Sequence, residues 1–159
     1  MPMPSPVPHA TIAAAVLELF DETFERVQGI YLDRGTSLVE TLAETSADQA
    51  STPMGRHGAT IAAHVAHVIY YLDIMERYLQ TGEGGVVDWG EVWRTVSAVT
   101  PEEWSVLKSR LEATYRRIFN IFQDYPTWDE DSMGGSLACV VHTAYHLGEI
   151  RQALCMLKA

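Results

Sequence analysis

The run Val141-His142-Thr143-Ala144-Tyr145-His146-Leu147-Gly148-Glu149-Ile150-Arg151 decides how this chain is read. His142 and His146 are four residues apart. On a helix, that spacing projects both imidazoles from one face, one turn apart. Continued along the segment, the helical wheel separates two faces. One carries Leu137, Val140, Ala144, Leu147 and Leu154. The other carries Gly135, Cys139, His142, His146, Glu149 and Ala153. Small residues beside two histidines leave room that a plain core stripe would fill with leucines.

A second histidine pair, His64 and His67, falls in the helix-like stretch from about Ala59 to Gln80, closed by Thr81-Gly82. His67 shares its stripe with Thr60, His64, Tyr71, Ile74 and Tyr78. Two helices that carry histidines can converge on one site in a bundle core. Three neutral imidazoles around a divalent ion leave a coordination position open, the arrangement of a catalytic metal site. Affinity is then expected to fall as pH drops through about 6.5, because the ligands must be neutral. Spacing alone does not choose between a metal site and ordinary packed histidines.

Helical periodicity governs the rest. A first helix is expected after Pro8, running through Ile12, Leu17, Phe20, Phe24 and Val27 to end near Gly29. A short helix is expected around Thr36 to Thr45, then a loop from Ser46 to Gly58. A long connection from Gly82 to Val99 carries Trp89 and Trp93. Thr100-Pro101-Glu102-Glu103 is a strong helix start, with Thr100 as cap, Pro101 in the first turn and Glu103 completing a capping box. That helix stops before Pro126, a loop with Gly134-Gly135 follows, and the last helix is expected from about Ser136 to Leu157. No stretch reads as a strand. Four long helices in 159 residues imply a single all-α domain, a four-helix bundle, with residues 1–8 as a proline-rich extended tail.

Composition narrows the partners. Lys+Arg 11 against Asp+Glu 21 gives a net charge of -10, which argues against nucleic acid and anionic membrane surfaces. No segment approaches the roughly 20 continuous apolar residues of a membrane span. The first residues show neither the basic region nor the apolar core of a signal peptide. Cys139 and Cys155 fall on one helix, about 24 Å apart at 1.5 Å per residue. A disulfide needs its Cα atoms within about 7 Å, so the expectation is two reduced, buried thiols in a cytoplasmic protein.

The residues Thr60-Ile61-Ala62-Ala63-His64-Val65-Ala66-His67, with His142-x-x-Tyr145-His146-Leu147-Gly148-Glu149-Ile150-Arg151-Gln152, resemble the DinB/YfiT-like superfamily of damage- or stress-associated bacterial proteins. The resemblance covers nearly the whole chain, including helix order and the long connection before the third long helix. It implies a four-helix bundle, usually dimeric, in which three histidines hold one divalent metal; imidazole ligands suit several transition ions, of which zinc or nickel is expected here. Carried onto this sequence, the ligands are His67, His142 and His146, with His64 as the alternative or a supporting group. Glu149, one turn beyond His146, is the candidate catalytic carboxylate. It can hold a ligand's second nitrogen or act on metal-bound water.

The superfamily includes thiol-dependent S-transferases and a mycothiol-dependent isomerase. The resemblance therefore implies transfer of a low-molecular-weight thiol to a small electrophile. A metal-dependent hydrolase is the alternative enzyme reading, and a stress-associated metal-binding homodimer is the non-enzymatic one. The surplus of apolar residues on the last helix also points to a homodimer. Arg56, Arg77 and Arg151 are candidates to meet a thiol's carboxylates. Trp89, Trp93 and Trp104 are lid candidates, and Tyr71 and Tyr78 candidate pocket walls. Open space is expected near Gly135, Cys139 and Ala153. His57 sits in a glycine-flanked loop, His9 lies near the tail, and Asp129, Glu130 and Asp131 read as a solvated acidic loop.

Overall fold

The computed structural model describes residues 8–55, 58–125 and 128–158. Residues 1–7 of the tail, Arg56, His57 and Pro126 lie outside these residues. Among the described residues seven helices occur, in the order α1 (His9–Phe24), α2 (Leu38–Ala43), α3 (Ala47–Ser51), α4 (Ile61–Thr81), α5 (Glu91–Thr95), α6 (Pro101–Gln123) and α7 (Glu130–Leu157). No strand occurs among the described residues, so the all-α expectation holds. Of the long helices, α4 packs on α6 and α7, and α1 packs on the same two. None of the helices described is long and apolar enough to cross a membrane.

Local chemistry sets the helix limits. Thr100 and Glu103 form the expected capping box at the start of α6, with Pro101 in its first turn. Gly82 closes α4 at φ 74°, a left-handed conformation that glycine adopts without a Cβ penalty. The α1–α6 seam is aromatic. Phe20 and Phe24 meet Tyr115 at ring-centroid distances of 5.4 Å and 4.9 Å. Such pairs add about 0.5–1.5 kcal/mol each beyond their buried area.

Three boundaries differ from the sequence reading. First, α1 ends at Phe24, five residues before Gly29, because Glu22 captures the chain that follows. Its carboxylate accepts N–H bonds from Gln28, Ile30, Tyr31 and Leu32, at 2.8, 2.9, 2.8 and 2.7 Å. Burial alone would raise the pKa of this carboxyl. The four backbone donors outweigh that and lower it to about 2. Second, the expected loop from Ser46 contains α3, started by a capping box between Ser46 and Gln49.

Third, α7 begins at Glu130 rather than Ser136, with the two glycines inside it. Asp129 is its N-cap and pairs with Ser132 in another capping box, while Glu130 and Asp131 occupy the first turn. Carboxylates there complement the helix dipole, so this acidic run starts a helix and is not a loop. Gly135 lets α7 lie close to α4, since a Cβ at that position would come within 3.1 Å of Met75 Cε.

Candidate metal centre

The site lies where the N-terminal half of α4 faces the middle of α7. Thr60 caps α4, its hydroxyl accepting from the Ala63 N–H at 3.2 Å, and so fixes the helix just before the first histidine. His64 and His67 follow one turn apart. On α7, His142 and His146 come forward from a helix whose other side is anchored by Val140, Leu147 and Ile150, all buried.

The imidazoles meet in two sets. His142 Nε2 lies 3.2 Å from His67 Nε2. A ring nitrogen of His146 joins these two, all three ligand atoms lying within 4.8 Å of one another. The second set is His64, His146 and Glu149, bounded by the same distance. Here His64 Nδ1 is 3.1 Å from His146 Nδ1, and Glu149 Oε2 is 2.8 Å from His146 Nδ1 and 3.3 Å from His64 Nδ1. His146 belongs to both sets. Either set could hold a metal ion.

Burial keeps these rings neutral. Desolvation, with the neighbouring imidazoles adding to it, lowers the pKa of His67 to about 4 and that of His142 to about 3. Desolvation also lowers His64 and His146, each partly opposed by Glu149. Neutral imidazole is the metal-binding form, so the donor set fits a borderline-soft divalent ion. The fit is also visible in what is unpaired. Nδ1 of His67 and of His142 is buried without a hydrogen-bond partner.

Aromatic rings wall the cluster. Tyr71 lies flat on His142, centroids 3.9 Å apart and planes 13° apart. Trp93, on α5, packs 4.5 Å from His67 and 5.3 Å from His64. Trp89 reaches His67 at 6.4 Å. Two of the three lid candidates thus border the histidines. Trp104 does not: it is buried on α6, and its indole N–H donates to the Thr45 carbonyl at 2.8 Å. Tyr78 is exposed near the end of α4. The missed signal for α5 was Asp88, which accepts the Gly90 N–H at 2.9 Å and pairs with Arg94 at the start of that short helix.

Open space lies beside the second set. A cavity of about 540 Å³ is lined by His64, Glu149, Tyr145, Gln152, Met54 and Met156, among others. The room expected at Cys139 is absent: that thiol is fully buried, its pKa pushed up to about 12 by desolvation. Ala153 is buried at the cavity edge. Cys155 is exposed, contrary to the expectation of two buried thiols, and neither cysteine is in a disulfide. Arg151 donates to Thr41 Oγ1 at 3.4 Å and Arg77 lies against Gly85, so neither is among the cavity's lining residues. His9 is the exposed first residue of α1. A search of protein-family models, curated proteins and solved structures finds no significant match to this chain.

Proposed function

We propose that this chain is a DinB-like four-helix bundle that binds one divalent transition ion, zinc or nickel, through His67, His142 and His146. We further propose that it transfers a low-molecular-weight thiol to a small electrophile. The observation that carries the reading is the meeting of neutral imidazoles from two helices beside a cavity of about 540 Å³. A divalent ion held there supplies Lewis acidity, which favours a thiolate or a hydroxide at neutral pH.

The chain's own groups divide the remaining work. Glu149 accepts the Nδ1 proton of His146, which fixes that ring's tautomer and leaves its Nε2 for the ion. Tyr71 stacks on the ring of His142, and Trp93 packs at a tilt against that of His67, so each ring has an aromatic neighbour. His64 and Glu149 face the cavity and are placed to exchange a proton with whatever occupies it. Leu137, Val141, Tyr145 and Met156 form an exposed row along α7, which supports a homodimer.

Cobalt substitution tests the reading, because thiolate ligation adds a charge-transfer band to the cobalt spectrum. Mycothiol, bacillithiol and glutathione are titrated in turn, then offered chlorodinitrobenzene as acceptor. One of the three should produce the band and support turnover that His142→Ala abolishes. If no thiol perturbs the spectrum and turnover equals that of His142→Ala, the transferase reading fails.

A further inference from the structure

His64, His146 and Glu149 do more than surround the first set. Their three facing atoms close a triangle with sides of 3.1, 2.8 and 3.3 Å. Hydrogen bonds alone cannot match all three sides. With protons on both Nδ1 atoms, two N–H groups face each other across the 3.1 Å side. With the proton on His146 only, the His64 lone pair opposes the carboxylate. With the proton on His64 only, the His146 lone pair opposes the same carboxylate at 2.8 Å. Each arrangement leaves a like-against-like contact at a site where His146 is 5% exposed.

A divalent cation satisfies all three atoms together. Metal–ligand bonds of about 2.0–2.2 Å to imidazole nitrogen and carboxylate oxygen put tetrahedral ligands about 3.3 Å apart, close to the sides observed. The triangle also faces the cavity that His64 and Glu149 line, so a fourth position is accessible to solvent or substrate.

We propose that His64, His146 and Glu149 form a second divalent-cation site, joined to the first through the His146 ring. This inference rests on the proposed His67, His142 and His146 site. The bridge needs one His146 nitrogen for each site: Nδ1 faces His64 and Glu149, and Nε2 would serve the set with His67 and His142. Filling the second site forms a metal–Nδ1 bond and displaces the Nδ1 proton of His146, which passes to the buffer. The result is an imidazolate bridge between two cations, the outer one facing the cavity.

The test uses the full chain with Zn²⁺ and Cu²⁺ alone. Elemental analysis after dialysis against Zn²⁺ should give two equivalents per chain. Calorimetry in buffers of different ionisation enthalpy should show one proton released with the second equivalent. With Cu²⁺, the paramagnetic resonance signal should grow to one equivalent and shrink towards two, because an imidazolate bridge couples the two spins. His64→Ala should hold one equivalent and keep its helical circular dichroism. One zinc per wild-type chain that His64→Ala keeps and His142→Ala loses, or two per His64→Ala chain, overturns the second site and leaves the first standing. No zinc at all overturns both.

Discussion

Two regions of this molecule bury ionisable groups, and they treat them in opposite ways. At the end of α1, Glu22 is fully buried and its carboxylate takes four backbone N–H bonds. Between α4 and α7, four histidines crowd together, and Nδ1 of both His67 and His142 has no partner. A buried polar group that is fully paired stabilises the fold, whereas one left unpaired costs stability. The Glu22 region has the chemistry of an anchor. The histidine region has the chemistry of a site that another species completes.

Substitution separates the two most sharply. Glu22→Leu should cost at least about 3 kcal/mol in chemical denaturation, since it orphans several backbone donors at once. A loss below about 1 kcal/mol would remove the anchor from the account. Next in size is Glu149→Gln, which weakens the hold on His146 Nδ1. Affinity for the zinc held by His67, His142 and His146 should drop about 10–100-fold, the usual effect of losing a ligand's supporting partner. Unchanged affinity would mean that Glu149 does not orient the ring.

Smaller again is His142→Leu in metal-free protein. Replacing an imperfectly paired imidazole by an apolar side chain should be neutral or stabilising by about 1 kcal/mol. A loss resembling that of Glu22→Leu would show that the histidines serve the fold rather than a ligand.

The pH dependence is the smallest expected effect. In the folded chain His67 and His142 have pKa values of about 4 and 3, against about 6.5 when unfolded. Between these limits the unfolded chain binds protons that the folded chain refuses. Metal-free stability should therefore be full above about pH 6.5 and decline as pH falls towards 4. Its slope is bounded by twice the about 1.4 kcal/mol per pH unit that one proton gives, and partial solvent exposure of the rings should hold it well below that bound. The same shifts carry zinc binding to lower pH than the ordinary histidine value would allow. Stability flat from pH 7 to 4 would contradict the neutral, desolvated rings.

Sequence periodicity was enough for α4, α6 and most of α7, whose apolar stripes and caps are local. It put His142 with His146, and His64 with His67, on one face of their respective helices, because four-residue and three-residue spacings translate directly into helix faces; the choice of His67 over His64 came from the family resemblance. It did not reveal the end of α1, because Glu22 acts on residues as far ahead as Leu32, and no local pattern marks a carboxylate as a backbone acceptor. It stopped α7 short at Gly134-Gly135, where the Asp129 cap outweighs glycine's low helix propensity. It grouped Trp104 with Trp89 and Trp93, although only the tertiary partner Thr45 distinguishes a core indole from a site wall. The triangle of His64, His146 and Glu149 depends on side-chain directions across two helices, which spacing does not encode.

The most direct measurement is calorimetric titration of Zn²⁺ into the metal-free chain, the wild type against His67→Ala and His142→Ala. The account predicts a tight first equivalent in the wild type. It predicts no stoichiometric binding at that affinity in either variant, with helical content unchanged. Wild-type protein that takes up no zinc, or variants that bind it as the wild type does, would contradict the claim that these histidines form a metal centre.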